Sequence, residues 1–126
     1  MSKGYNPHFD IDLAFGESYE DSLANILNKG KVEVKTERDI WKTTGNIVFE
    51  VRCKGKLSGI LRTKADYWAH ILSYKGQIKS ILMFPTDVLL NQLKHLVKEG
   101  KAEVIFGGDN NDSEMVRVPL KNMYSK

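Results

Sequence analysis

Apolar residues recur at two spacings along this chain, and the switches between them mark its elements. From Gly16 to Asn28, Tyr19, Leu23 and Leu27 return every four residues, flanked by Ala24 and Ile26. That spacing predicts an amphipathic helix, with Gly30 as its stop. Ahead of it, Phe9-Asp10-Ile11-Asp12-Leu13 alternates like a strand. Lys31 to Thr36 alternates as well, so Val32 and Val34 are expected to enter a core and Glu33 and Lys35 to share the opposite face. A second strand is predicted over Asn46 to Lys54, with Ile47, Phe49, Val51 and Cys53 on one face and Asn46, Glu50 and Arg52 on the other. Tyr67 to Tyr74 is apolar on both faces and reads as a central strand. Lys75-Gly76-Gln77 turns it into a hairpin with Ile78 to Phe84. Pro85 ends that arm, and Thr86 is expected to cap a helix reaching about Gly100, with Leu89, Leu90, Leu93, Leu96 and Val97 as its apolar stripe. Ala102 to Phe106 and Met115 to Leu120 read as strands joined by a polar turn. The sum is one α/β domain, residues 1–126, with a sheet flanked by an N-terminal helix and a later one.

The connections carry some chemistry. Residues 38–45 form a loop in which Trp41, beside Arg38 and Lys42, either stacks on a base or caps the core edge. Gly55 to Lys64 is rich in Gly, Lys, Arg, Ser and Thr but lacks the spacing of an NTP-binding phosphate loop. Its amides, Lys56 and Ser58 suit a nucleic-acid phosphate, and Ser58-Gly59 equally suits a simple turn. Thr63 is expected to start a helical turn through Asp66, and His70 to sit in the core. The Asp/Asn run of residues 107–112 lacks the glutamate of an EF-hand and is read as a loop.

Composition narrows the class. Apolar residues make up 41% of the chain and the net charge is +3, ordinary for a globular protein. No apolar run approaches a membrane span, and no secretory signal is expected. The single cysteine, Cys53, cannot pair internally and is expected to be a buried thiol in a reducing, cytoplasmic setting. Charge is uneven: residues 1–28 hold one lysine against five acids, whereas residues 29–64 hold ten Lys/Arg against four acids. Carboxylates that hold a cation, flanked by bases that hold a polyanion, give such an arrangement.

The pair Glu33 and Lys35 matters most. A carboxylate and an ammonium on one face of a strand suit metal-assisted phosphodiester cleavage, although the same pair is also an ordinary surface ion pair. If the two first strands pair antiparallel, Glu50 and Arg52 join them on one surface.

Read together, Gly16 to Glu20 with Leu23-Ala24, Val32-Glu33-Val34-Lys35-Thr36, Thr44 to Glu50, Gly55 to Ile60, Thr63 to Trp68 and Gly107-Gly108-Asp109 resemble the PD-(D/E)XK nuclease superfamily. The likeness is to its small phage-type, Holliday-junction-resolvase-like endonucleases, over roughly residues 15–120. It implies a restriction-endonuclease-like core with a central mixed sheet, and Mg²⁺- or Mn²⁺-dependent DNA cleavage in replication, recombination or repair. It places the Glu-x-Lys pair at Glu33 and Lys35 and the helix-borne acid at Glu20. The usual Pro-Asp on a preceding strand is missing. Asp10, Asp12 or Glu50 can replace it. Alternatively, Glu33 takes that acid's position, Glu50 becomes the second ligand, and Lys35 or Arg52 supplies the cation. The favoured metal set is Glu20, Glu33 and Glu50, with Arg38, Lys42, Arg52, Lys56, Ser58 and Lys64 against DNA. A homodimer is compatible, since small nucleases must reach two strands, and a phage origin implies the host cytoplasm. The competing reading is a noncatalytic DNA-binding module on a degenerate nuclease fold.

Overall fold

The computed structural model describes residues 7–125, with side chains from residue 16 onward. The chain divides into two compact units, one ending at Lys31 and one beginning at Val32.

The first unit is α1, Pro7–Lys29. It starts earlier than the apolar stripe predicts. Pro7 stands at the first helical position, where its missing N–H costs nothing. Asp10 and Asp12 therefore belong to a helix, not to the strand their five-residue alternation suggested. The helix runs on through Gly16, a glycine it tolerates at a cost of about 1 kcal/mol, and joins them to the stripe. Gly30 ends the helix, its amide bonding to Ile26 O at 2.8 Å. A Cβ at Gly30 would meet that oxygen at 2.6 Å, so only glycine fits there.

The second unit is α/β, with two sheets. In the first, β1 (Val32–Arg38), β4 (Tyr67–Tyr74) and β5 (Gln77–Pro85) lie in the order β1-β4-β5. β1 runs parallel to β4, and β4 and β5 form the expected hairpin, so this sheet is mixed. In the second, β2 (Asn46–Cys53), β3 (Lys56–Leu57), β6 (Glu103–Gly107) and β7 (Ser113–Pro119) form an antiparallel sheet ordered β3-β2-β7-β6. The chain thus has two sheets where one central sheet was expected, and β1 and β2 do not pair. Short helices α2 (Ile40–Thr44) and α3 (Gly59–Arg62) occupy stretches read as loops. The helical turn expected from Thr63 lies earlier, in α3; Thr63 follows that helix, and its amide bonds to Gly59 O.

One core joins both sheets. Ile47, Phe49 and Val51 of β2, Trp68 and Leu72 of β4, Phe84 of β5 and Val116 and Val118 of β7 meet α4 (Thr86–Lys98) through Leu89, Leu93 and Leu96. The predicted stripe of α4 is thereby confirmed, with Leu90 and Val97 packed at its margin. Leu93 is 2% exposed. Leu93→Ala is expected to destabilise the unit by about 2–5 kcal/mol, read as a shift in the urea midpoint at constant slope. Thr86 begins α4 but does not cap it by its side chain: its hydroxyl is enclosed without a hydrogen-bond partner among the described residues, while its amide bonds to Asp66 O. Trp41 resolves toward packing, lying against the core with its indole N–H bonded to Ser73 O at 2.6 Å. Cys53 is half-buried, not buried, because it ends β2 opposite Ser113.

The register of β1 reverses one expectation. Its partners on β4 are Glu33 to Trp68, Lys35 to His70 and Glu37 to Leu72. Paired residues of parallel strands point to the same side, and Trp68, His70 and Leu72 are buried. The acids and the lysine of β1 therefore face inward. Val32 and Val34 face outward, and Val34 is 52% exposed. Parity decides this: β4 fixes which side is the interior, and a one-residue difference flips every side chain of its neighbour.

Candidate active site

Three side chains of β1 at alternate positions, Glu33, Lys35 and Glu37, line the inner side of the first sheet. Glu37 is the most enclosed. Its Oε1 accepts the Val48 amide of β2 at 2.7 Å and lies 3.1 Å from His70 Nε2. His70 is 2% exposed, and its Nδ1 lies 3.1 Å from Trp68 Nε1. An indole nitrogen only donates, so Nδ1 accepts. Nε2 then carries the proton and donates to Glu37. Trp68, His70 and Glu37 form a chain of donors that ends on one carboxylate oxygen. Phe49 packs against the imidazole, ring centroids 4.5 Å apart.

Glu33 and Lys35 are held more loosely. Glu33 Oε1 accepts the Thr63 hydroxyl at 3.1 Å, and Thr63 accepts the Ala65 amide in turn. Glu33 Oε2 is 3.9 Å from Lys35 Nζ, with both side chains substantially exposed. An ion pair this long and this wet contributes a few tenths of a kcal/mol at most, about the low end for surface pairs. Lys35 can therefore turn toward a ligand at little cost, while Glu33 stays oriented by its bond from Thr63.

Glu50 comes from the other sheet. It lies beside a bulge, where the pairing of β2 with β7 shifts register between Glu50 and Arg52. Bulges re-aim side chains and gather near functional sites. Here the bulge separates two residues that simple alternation puts on one face. Glu50 turns to a cleft of about 260 Å³, lined also by Lys35, Glu37, Val48, Trp68 and His70. Arg52 turns away and pairs with Glu114 on β7 at 2.8 Å. Gly59, at the start of α3, presses on the bulge: its φ is +49°, and a Cβ there would meet Glu50 O at 2.1 Å. Glu50's carboxylate has no hydrogen bond or ion pair among the described residues. A half-buried acid without a partner, facing a polar cleft, is where a cation or a phosphate-bound water is best received.

The remaining residues singled out by sequence do not line this cleft. Lys64 is exposed and follows Thr63, the partner of Glu33. Lys56 is exposed on β3. The Ser58 amide bonds to Val51 O, while its hydroxyl is enclosed without a partner among the described residues. Arg38 is exposed on the outward face of β1, and Lys42 is exposed with Nζ 5.2 Å from the Tyr74 ring centroid. Arg38 sits about 17 Å along β1 from Glu33, at some 3.3 Å per residue, and Lys42 lies beyond it in α2. Glu20 is exposed on α1, in the other unit. Among the described residues no three acidic, His or Cys side chains are grouped closely enough to hold a metal ion.

Glu37, His70 and Gly59 line the cleft and Thr63 holds Glu33, yet the sequence reading gave none of them such a role. Glu37 had a signal: it continues the alternation of Glu33 and Lys35, and only the early end set for the strand at Thr36 hid it. Thr63 and Gly59 had none, because their partners lie 30 and nine positions away.

No family model, curated protein or solved structure matches the chain. Among the described residues, no helix is long and apolar enough to cross a membrane.

Proposed function

We propose that the cleft between β1 and β2 hydrolyses DNA phosphodiester bonds with the help of a divalent cation, on a restriction-endonuclease-like core. The observation that carries this is the placement of charge. Glu33 and Lys35 stand on one face of β1 with only a 3.9 Å ion pair between them, and the unpartnered Glu50 lies on the same cleft as Lys35. A carboxylate without a partner and an amine converging on one cleft are groups that a polar ligand is expected to engage. The donor set suits a hard, oxygen-preferring ion such as Mg²⁺ or Mn²⁺. Glu33 and Glu50 are the acids of this unit that would hold it. Bound there, the ion supplies charge neutralisation at a phosphate oxygen and a more acidic water. Lys35 donates to a phosphate oxygen and offsets charge in the transition state. Thr63 keeps the Glu33 carboxylate oriented. Lys64 and Lys56, together with Arg38, Lys42 and the Ser58 loop, contact backbone phosphates without reading sequence.

A noncatalytic DNA-binding module is the second reading, and the lack of a three-donor cluster among the described residues favours it. One assay separates the two. Purified protein is incubated with branched, duplex and single-stranded DNA, with Mg²⁺, with Mn²⁺ and with a chelator. Cutting that needs the metal supports the nuclease. Salt-dependent binding without turnover in any metal removes it in favour of the binding module.

A further inference from the structure

The two halves of the cleft belong to different sheets, and no strand pairing joins them. Lys35 and Glu37 ride on β1, in the sheet β1-β4-β5, while Glu50 rides on β2, in the sheet β3-β2-β7-β6. β3 covers the free edge of β2 only at Arg52 and Cys53. Upstream of that, the Val48 amide lies on an edge without a strand partner and would be left unsatisfied inside the molecule. Glu37 supplies its acceptor at 2.7 Å. The same oxygen is fixed from the other side by His70, itself fixed by Trp68. The carboxylate therefore stands between two backbones: its own, two residues beyond Lys35, and that of β2, two residues before Glu50.

We infer that Glu37 is a positioning residue, a side-chain buckle that sets the separation of Lys35 from Glu50 across the cleft. Three observations carry it. The bond to Val48 is short and reaches backbone, so it constrains the strand and not merely a rotamer. Glu37 shares an inward face with Glu33 and Lys35, and Val48 lines the same cleft as Glu50, so a change in the span moves the cleft walls directly. Finally, the His70 tautomer is dictated by Trp68, which leaves Nε2–H with one duty, to hold Glu37. The chain starts within the core, where Trp68 and His70 are almost fully buried, and ends at the half-buried Glu37.

What the buckle needs is reach and an acceptor oxygen, not negative charge. Two conservative variants separate these. Glu37→Gln keeps the length and an sp² oxygen and loses the charge. Glu37→Asp keeps the charge and withdraws the oxygen by one methylene. The Val48 amide is followed by hydrogen exchange, and the Glu50 and Lys35 amides by their NMR shifts, on protein without DNA or metal. Glu37→Gln is expected to protect Val48 within about threefold of wild type, while Glu37→Asp loses about tenfold, the equivalent of one net hydrogen bond. The Glu50 amide should shift in Glu37→Asp alone. Wild-type protection of Val48 in Glu37→Asp, or a loss in Glu37→Gln equal to that in Glu37→Asp, overturns the buckle. The activity arm rests on the nuclease reading: kcat of metal-dependent cleavage should fall in Glu37→Asp with KM for DNA unchanged, and both should be retained in Glu37→Gln. A wild-type protein that cuts nothing sinks the nuclease and leaves the exchange result to decide the buckle by itself.

Discussion

Lys35→Ala and Glu33→Ala are each expected to lower metal-dependent DNA cleavage by roughly 100- to 1,000-fold, the range seen when one preorganised charge is removed from a transition state. Their cost to the fold is expected to be small. Lys35 makes a 3.9 Å ion pair with Glu33 and is half-exposed, and Glu33 gives up one hydrogen bond from Thr63. Exposed pairs contribute about 0–1 kcal/mol and a single hydrogen bond about 1 kcal/mol. A thousandfold loss of rate is about 4 kcal/mol, so the effect on chemistry should exceed the effect on stability several-fold. Cleavage rates at saturating DNA, set beside urea midpoints, measure the two separately. Variants as active as wild type would remove these residues from the mechanism. Midpoints that fall as far as the rates would reduce them to structural roles.

The second large effect is expected at Gly59. Its backbone adopts a left-handed φ of +49°, and the position of a Cβ is already taken by Glu50 O, 2.1 Å away. Glu50 C lies at 2.9 Å, so the obstacle is main chain and cannot swing aside. Gly59→Ala must push α3 from β2, lifting Ile60, which is 2% exposed, out of the core and displacing Glu50 from the cleft. A left-handed residue with a side chain costs about 1–2 kcal/mol, and overpacking adds about 1–3 kcal/mol. The control is Gly55→Ala, where φ is +76° and nothing lies within 4 Å. It should pay the conformational part alone, about 1–2 kcal/mol, and leave cleavage unchanged. Equal midpoints for the two variants would show that contact with Glu50 carries no weight.

Much of the fold was legible in the chain. The buried faces of β2 and α4 follow from periodicity that extends over eight residues or more, long enough for one period to exclude the other, and the hairpin of β4 and β5 follows from two apolar runs about the turn at Gly76. Phe9 to Leu13 failed because five alternating residues satisfy a helix as well as a strand, and Pro7 favoured the helix. The strand β1 was located, but its facing was reversed. Its own sequence offers valines on one side and charge on the other, so propensity alone points the valines inward. The parallel register with β4 overrules this, since the larger apolar payload of Trp68 and Leu72 chooses the interior.

The candidate site divides in the same way. Glu33, Lys35 and Glu50 were readable as chemistry: acids and an amine at alternate positions on strands. Arg52 was read onto their surface and is not there, because alternation holds only while the ladder is regular and the bulge beside Glu50 breaks it. Glu37 was passed over for lying one residue beyond the assumed strand end.

What the sequence determined by itself is local: which segments bury an apolar face, where the turns fall, and which groups are fit to bind a cation or a phosphate. Those properties depend on residues within a few positions of each other. Which groups meet was decided only by tertiary structure. The pairing of β1 with β4 instead of β2, the bulge at Glu50, and the carboxylate of Glu37 spanning two sheets each depend on contacts between distant residues. Their energies come from burying Trp68, Phe49 and the α4 leucines together, a term no single segment contains.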